Sequence, residues 1–314
     1  MRSMTSEADC THHPADVAII TVTFNPDIAL LQAQLNALPH ESFKLIVDNA
    51  SEPQFVQQME NLVAQVPKAQ LLRNTHNIGL AAALNLGVQC ARDHAPQARF
   101  ALLLDQDSEP LPGSIPALID GFDGLERMGQ RVGCVGPALI DVATDLPHGF
   151  HQATHWRWRR VYPAPNSPPV SCTNLNGSGT VVPIELFLKL GGLDERLFID
   201  HVDTAWSFRV LAAGYGLWGI PSAVFRHRMG QASLRFWLLG WRVWPARSPA
   251  RHYYLFRNAA VLIRRPEVPW VWKFWAVVKL ALTAGAHGLF DRQRRQQWRQ
   301  MWRGLRDGLR MPAA

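Results

Sequence analysis

Cysteine is scarce: four in 314 residues, at Cys10, Cys90, Cys134 and Cys172. They are scattered, with no metal or redox spacing, so thiolate clusters are excluded and a reducing compartment is expected. The first sixteen residues are polar and include Glu7 and Asp9. They lack the apolar core of a secretory signal and are expected to form a flexible tail. No Gly-x-Gly-x-x-Gly follows the first strand and there is no Walker lysine, so the usual dinucleotide and P-loop sites are excluded. The apolar stretch 268–290 is interrupted by Lys273 and Lys279. Crossing a bilayer takes about 20 apolar residues, so this stretch reads as an interfacial helix pair.

Acids are nearly missing from one part of the chain. Residues 226–314 hold 18 Lys/Arg against 3 Asp/Glu, a net of +15, and eight of the 12 Trp. Residues 1–225 hold 14 against 22, a net of −8. Opposite charges on the two parts indicate different jobs. Within 291–310, Trp298, Met301, Trp302, Leu305 and Leu309 fall on one helical stripe among seven Arg. That composition suits a helix lying in anionic headgroups; a helix packed on the rest of the protein would use the same stripe. Nucleic acid is the weakest partner, because no recognition module is visible.

What is present centres on residues 102–108, Leu-Leu-Leu-Asp-Gln-Asp-Ser. The apolar run Phe100–Leu104 reads as a buried parallel strand. Asp105 and Asp107 leave its carboxyl end, where open α/β sheets place ligands. Two carboxylates aimed at one spot suit a divalent cation holding a diphosphate. Asp107 or Ser108 could equally cap a helix starting near Pro112.

Upstream, strands at 17–23, 43–47 and 69–73 alternate with helices to about Leu38, from about Pro53 to Val66, and at 80–94. Such alternation means a mostly parallel sheet with helices on both faces and strand ends on one rim. That rim carries Thr23, Asn25, Asp48, Asn49, Asn77, Asp105 and Asp107. Asp48 can accept from a pyrimidine ring N–H, and Asn25 and Asn77 can orient ribose or phosphate; each alone also suits a turn or cap. Downstream, 132–140 reads as a strand and 141–170 as a long irregular loop. A glycine-containing approach at Gly177 leads into another strand, and 184–190 is a short helix. A helix starting near Asp200–Asp203 places Asp203 in its first turn, where the dipole favours an anion able to accept a hydroxyl proton. Asp194 and Asp200 read as structural. Two short strands, 217–220 and 223–225, lead to His227, a possible imidazole ligand opposite Asp107.

Taken together, Thr21–Pro26, Val47–Ser51, Asn77–Ala81, Asp105–Ser108, Gly177–Thr180, Phe198–Asp203, His227–Gly230 and Tyr253–Asn258 resemble family 2 inverting glycosyltransferases. More narrowly, they resemble the bacterial branch that uses dTDP-L-rhamnose. The resemblance spans roughly residues 17–263. It implies a GT-A-type α/β fold, a mixed and mostly parallel sheet flanked by helices, at 17–230. A basic, amphipathic helical extension follows at 231–314. It also implies roles: Thr23, Asn25, Asp48, Asn77, Asp105 and Gly177 at the nucleotide sugar, Asp107 and His227 at Mg²⁺ or Mn²⁺, and Asp203 as base. The expected donor is dTDP-L-rhamnose and the expected acceptor a lipid-linked glycan or glycolipid, at the anionic inner face of the plasma membrane. A UDP-hexose donor, or an inactive sugar-nucleotide-binding scaffold, are the alternatives. Ala205 departs from the family pattern, which often has Glu there, and this bears on the acceptor.

Overall fold

A computed structural model describes residues 14–228, 233–237 and 241–313. Residues 1–13, most of the expected tail, and Met229 and Gly230 of the His227 motif lie outside the described residues. Four parallel strands form the first half: β1 (Val17–Thr23), β2 (Phe43–Asp48), β3 (Ala69–Arg73) and β4 (Phe100–Asp105), in spatial order β3-β2-β1-β4. Helices α1 (Ile28–Ala37), α2 (Pro53–Val63) and α3 (Leu80–His94) connect them. The starts follow from local chemistry. Asp27 caps α1, its carboxylate accepting from the amides of Ala29 and Leu30, and Pro53 opens α2. Register sets Thr23 beside Asp48 and Val22 beside Asp105, so the strand ends are level.

The second half adds β5 (Ser108–Pro110), α4 (Ser114–Arg127), β6 (Val132–Asp141), β7 (Phe150–Ala153), β8 (Trp158–Val161) and β9 (Val170–Cys172). It continues with β10 (Thr180–Pro183), α5 (Ile184–Lys189), α6 (Val202–Ala212) and β11 (Gly216–His227). Among the described residues these complete a nine-stranded mixed sheet, running on as β4-β10-β6-β11-β5 with β9 against β11. Its long ladders are parallel; β10, β5 and β9 pair antiparallel. Alternation along β1 feeds both faces. Ala18, Ile20 and Val22 join the core under α3 and α6, while Val17 and Ile19 join the core under α1, α2 and α4.

Several expectations need correction. The loop 141–170 contains the β7–β8 hairpin, pairing His151 with Arg160 and Ala153 with Trp158. Residues 217–220 and 223–225 are one strand, interrupted in register between Ile220 and Val224, around Pro221. Neither Asp107 nor Ser108 caps α4, whose cap is Gly113, because Ser108 is taken into β5.

The basic part forms a β-hairpin, β12 (Ser233–Trp237) with β13 (Trp241–Pro245), then α7 (Pro249–Ile263), α8 (Trp270–Phe290) and α9 (Arg294–Arg310). Residues 270–290 are one helix and not a pair. Gly285 and Gly288 fail to break it because no proline follows and Gly288 sits against the Trp298 ring. None of the described helices is long and apolar enough to cross a membrane. The expected stripe of α9 does not bury as a unit. Gln297, Met301, Gly304 and Gly308 face inward, while Trp298, Trp302 and Leu309 are exposed. The two glycines decide this. A Cβ at Gly304 or Gly308 would come within 2.3 Å of the Tyr253 or Arg257 carbonyl oxygen on α7, so only glycine permits the approach. Val261, Leu262 and Trp272 in turn pack into the same core as β1 and α3.

Candidate active site

The turn after β4 is held from three sides. Gln34 on α1 is fully buried, between the core residues Leu31 and Leu35. Its Nε2 donates to the carbonyls of Asp105 (2.7 Å) and Ser108 (2.6 Å), and its Oε1 accepts from Thr21 Oγ1. The Ser178 hydroxyl accepts from the Asp105 amide at 3.2 Å and contacts Ser108 Oγ. The Gln106 side chain accepts from the Phe24 amide at 2.8 Å, tying the turn to the end of β1. Gln34 and Ser178 were missed in the sequence. The signal available was a lone amide at a core position of an otherwise apolar helix face.

Pairing of β5 with β11 sets Ser108 opposite His227. Ser108 Oγ lies 2.7 Å from His227 Nδ1, and Asp107 Oδ1 lies 3.4 Å from the same nitrogen. One ligand atom each from Asp105, Asp107 and His227 falls within a 4.8 Å cluster. Desolvation raises the Asp105 pKa; the His227 charge opposes this, and Asp107 and Asp203 add to it. Carboxylates crowded in this way, with one imidazole, form an oxygen-rich donor set that fits Mg²⁺ or Mn²⁺.

Asp203 sits in the first turn of α6, but the helix cap is His201 and neither aspartate. Its Oδ1 accepts from the Thr204 amide at 2.8 Å, and its Oδ2 from the Gly177 amide at 3.3 Å. Desolvation raises its pKa above the ordinary carboxylate range, against those two hydrogen bonds. Asp105 and Asp203 line one cleft of about 440 Å³, so the two distant stretches meet in space. Asp105 stands between Asp107 and Asp203 electrostatically, since both charges act on it. Ala205 packs in the apolar core and does not line this cleft.

The approach to α6 is unusual. Phe198, Asp200 and His201 all have positive φ, of 64°, 65° and 61°. Non-glycine residues hold such angles only when surrounding contacts enforce them. Asn258 on α7 supplies three: its Nδ2 donates to the carbonyls of Leu197, Ile199 and Asp200 at 2.7–2.8 Å. The Asp200 carboxylate is gripped by Arg251 (2.8 Å at each oxygen) and Arg247 (2.7 Å). Against the desolvation that would raise it, Arg251 and Arg247 hold the Asp200 pKa below the ordinary range. Asp194 is likewise paired, with Arg196 at 2.9 Å and with buried Arg265. Both aspartates are therefore structural, as expected. Gly79 (φ 87°) lets the Asn77 loop touch this segment, since a Cβ there would meet the Phe198 ring at 2.5 Å.

The rim residues hold one another. Thr23 and Asp48 are buried, and Thr23 Oγ1 donates to Asp48 Oδ1 at 3.3 Å. Asp48 also accepts from the Ser51 amide and hydroxyl. Asn25 (φ 45°) accepts from the Glu52 amide at 2.9 Å and donates its own amide to Ser51 Oγ. Asn77 Oδ1 accepts from Asn49 Nδ2 (2.9 Å) and the Gly79 amide (3.0 Å). Buried Asn49 then accepts from Asn74 and the Ile78 amide. Thr23, Asn25, Asp48 and Asn77 thus brace the loops above β1, β2 and β3.

Four histidines carry a pH prediction. Desolvation lowers the pKa of His148 to about 3, and of His151, His201 and His252 to about 4. The unfolded value is about 6.5. Between about pH 6.5 and 4 the unfolded chain binds protons that the folded chain does not. Stability is therefore full above this window and lost as pH falls through it, by about 1.4 kcal/mol per pH unit per proton. Raised Asp105 and Asp203 oppose the trend, being more protonated in the fold. The thermal midpoint should fall steadily between pH 7 and 5; a flat profile would contradict the buried neutral imidazoles.

The sequence matches the family described as "Glycosyl transferase family 2" over residues 19–158. It is 29% identical over 259 residues to the dTDP-rhamnosyl transferase RfbF of Shigella flexneri, covering 81% of this chain and 82% of that protein. It is 25% identical over 244 residues to an N-acetylglucosaminyl-diphospho-decaprenol L-rhamnosyltransferase of Mycobacterium tuberculosis, covering 70% and 77%. Among solved structures, GalNAc-T7 with UDP, GalNAc and Mn²⁺ superposes with a TM-score of 0.56 at 15% identity, over 87% of this chain and 58% of that one. That likeness is one of fold, a GT-A-type α/β sheet flanked by helices. Motifs, relatives and architecture agree with the family match, which places residues 19–158 with glycosyl transferase family 2.

Proposed function

We propose that the protein transfers L-rhamnose from dTDP-L-rhamnose to a hydroxyl of a lipid-linked glycan or glycolipid, with inversion, at an anionic membrane surface. The observation that carries this is the cleft lined both by Asp105, a member of the Asp105–Asp107–His227 cluster, and by Asp203. The donor's base and ribose lie over the loops braced by Thr23, Asn25, Asp48 and Asn77, and its diphosphate lies at Asp105 and Asp107. Asp107 and His227, with Asp105 beside them, would hold a divalent cation, which would supply positive charge against that developing on the departing diphosphate. Asp203 takes the proton of the acceptor hydroxyl as that oxygen bonds to the anomeric carbon. The bond from that carbon to the phosphate oxygen breaks, and its electron pair leaves with dTDP. Attack from the opposite face inverts configuration through an oxocarbenium-like transition state. Desolvation makes Asp203 a stronger base than an exposed carboxylate. The Gly177 amide holds it in place.

The rhamnose assignment rests on the names of the two relatives, and the lipid-linked acceptor on the mycobacterial one. The membrane assignment rests on the net +15 of residues 226–314 and on exposed Trp270, Phe274, Trp275, Trp298 and Trp302. Donor turnover tests the reading. Hydrolysis of dTDP-L-rhamnose should exceed that of UDP-hexoses, stop in EDTA and return with Mn²⁺ or Mg²⁺. His227→Ala should raise the metal concentration needed by roughly 10- to 100-fold. Preferential turnover of a UDP-hexose would replace the donor, and full activity in EDTA would remove the metal role.

A further inference from the structure

We propose that the outer half of the cleft is an acceptor-phosphate subsite, where Arg160 and Lys279 bind the phosphate or diphosphate joining acceptor sugar to lipid. This rests on the transferase reading of the inner half.

The charge layout carries the assignment. Asp105 and Asp203 mark the inner end. Moving outward, the cleft opens into a second cavity of about 350 Å³ that shares His151, Trp158, Arg160, His201, Trp272 and Lys279 with it. Arg159, Arg160 and Lys279 line this outer cavity, and no carboxylate does. Elsewhere near the cleft cations are matched: Arg247 and Arg251 are tied to Asp200. The Arg160 guanidinium and the Lys279 ammonium have no hydrogen-bond or ion-pair partner among the described residues. Desolvation, then the Arg247 and Arg160 charges, lower the Lys279 pKa, and the charge of Asp200, already tied to Arg247 and Arg251, opposes them. Two cations placed together without an anion repel each other, and a phosphate between them relieves that repulsion through charge-assisted hydrogen bonds.

The two walls come from different parts of the chain. Arg160 lies on β8 of the hairpin, and Lys279 lies on α8 one turn after Trp275. A neutral sugar hydroxyl needs no such cations, and the donor diphosphate belongs at the opposite, carboxylate end. Past Lys279 the surface turns apolar. Trp275, Ala276 and Leu280 of α8 line the outer cavity beside Lys279, Trp275 being 45% exposed, and Trp156 of the hairpin meets Trp270 edge-on at 5.4 Å. A lipid chain leaving a phosphate at Arg160 and Lys279 would pass directly onto that face. Acid, then base, then hydrocarbon thus follow in the order that a metal-bound donor, an acceptor phosphate and its lipid require.

The test titrates the full-length protein with decyl diphosphate below its micelle concentration, once in EDTA and once with saturating dTDP and Mn²⁺. Filling the nucleotide site blocks binding there. Arg160→Ala and Lys279→Ala should each weaken decyl diphosphate about tenfold, the value of one charge-assisted hydrogen bond. Arg160→Lys and Lys279→Arg should keep most of the affinity, which separates lost charge from lost fold. Inorganic pyrophosphate should bind more weakly than decyl diphosphate and depend on the same pair. Unchanged decyl diphosphate affinity in the double alanine variant overturns the proposal. So does a double variant that loses only its binding to phosphatidylglycerol vesicles, which would give the pair to the bulk membrane surface. If the wild-type protein fails to bind dTDP, the transferase reading falls, while the titration in EDTA still reads this subsite.

Discussion

Replacing Asp203 by asparagine is expected to lower glycosyl transfer by about 10²- to 10⁴-fold, the usual contribution of a positioned general base. Binding of dTDP with Mn²⁺ should be largely unchanged. The amide has the same shape, and its carbonyl oxygen can still accept from the Thr204 amide, now at 2.8 Å from Oδ1. What it cannot do is take a proton. The fold should not suffer, because the carboxylate being removed is desolvated and has no cationic partner of its own. Its close electrostatic neighbours are the carboxylates of Asp105 and Asp200. Neutralising it relieves that repulsion but turns an NH₂ toward the Gly177 N–H from which Oδ2 accepted at 3.3 Å, so stability should change little. Loss of turnover should appear in kcat, with little change in the acceptor KM. Near-normal turnover would assign proton removal to another group, and loss of dTDP binding would make Asp203 a donor ligand.

The second large effect is on stability. Asp200→Ala should destabilise the protein by about 1.5–3 kcal/mol, the range for hydrogen bonds to charged groups, since Arg247 and Arg251 are 34% and 44% exposed and keep part of their hydration. The Asp200 side chain is only 7% exposed and balances two guanidinium groups. Its backbone lies among three residues with positive φ, each held at a cost of about 1–3 kcal/mol. Removing the carboxylate releases this segment from Arg251 on α7 and from Arg247 just before it, leaving the α7 bonds from Asn258 and those from Arg257 to the Arg196 and Leu197 carbonyls. Because Asp203 follows three residues later, transfer should fall along with stability. Denaturant unfolding reads the first effect; a loss below about 1 kcal/mol would show that the Asn258 and Arg257 bonds suffice. Asp200→Asn should be milder, since an amide oxygen can still accept from one arginine.

The ordering of strands and helices in residues 17–105 follows closely from apolar periodicity and turn residues, because β1, β2 and β4 are buried on both faces and the elements are joined by short loops. The placing of His227 opposite Asp107 could be expected from its position after the last strand, but not the cause of it. That cause is β5, a three-residue strand added antiparallel to β11, which no local propensity announces. The roles of Gln34 and Ser178 were hidden for a related reason. Each acts through a contact more than 70 residues away in sequence. In the basic part, periodicity left two roles open for the α9 stripe, a membrane face or a packed one, and the structure leaves most of it exposed. Glycines at 304 and 308 set the docking by their lack of a side chain, which outweighs the pull of Trp302 and Leu309 toward burial. Likewise, the Trp158–Val161 strand reads as a loop because arginines occupy two of its four positions.

The late placement of α8 bears on how such enzymes diversify. Every group expected to touch the sugar nucleotide, metal or transferred proton comes from the first 227 residues. One whole wall of the outer cavity, with Trp272, Trp275 and Lys279, is encoded after residue 269. Exchange of the α8 residues along that wall would redirect the enzyme to a new recipient while the reacting centre stayed intact. The helix itself is not dispensable, because Trp272 is anchored in the core shared with β1 and α3.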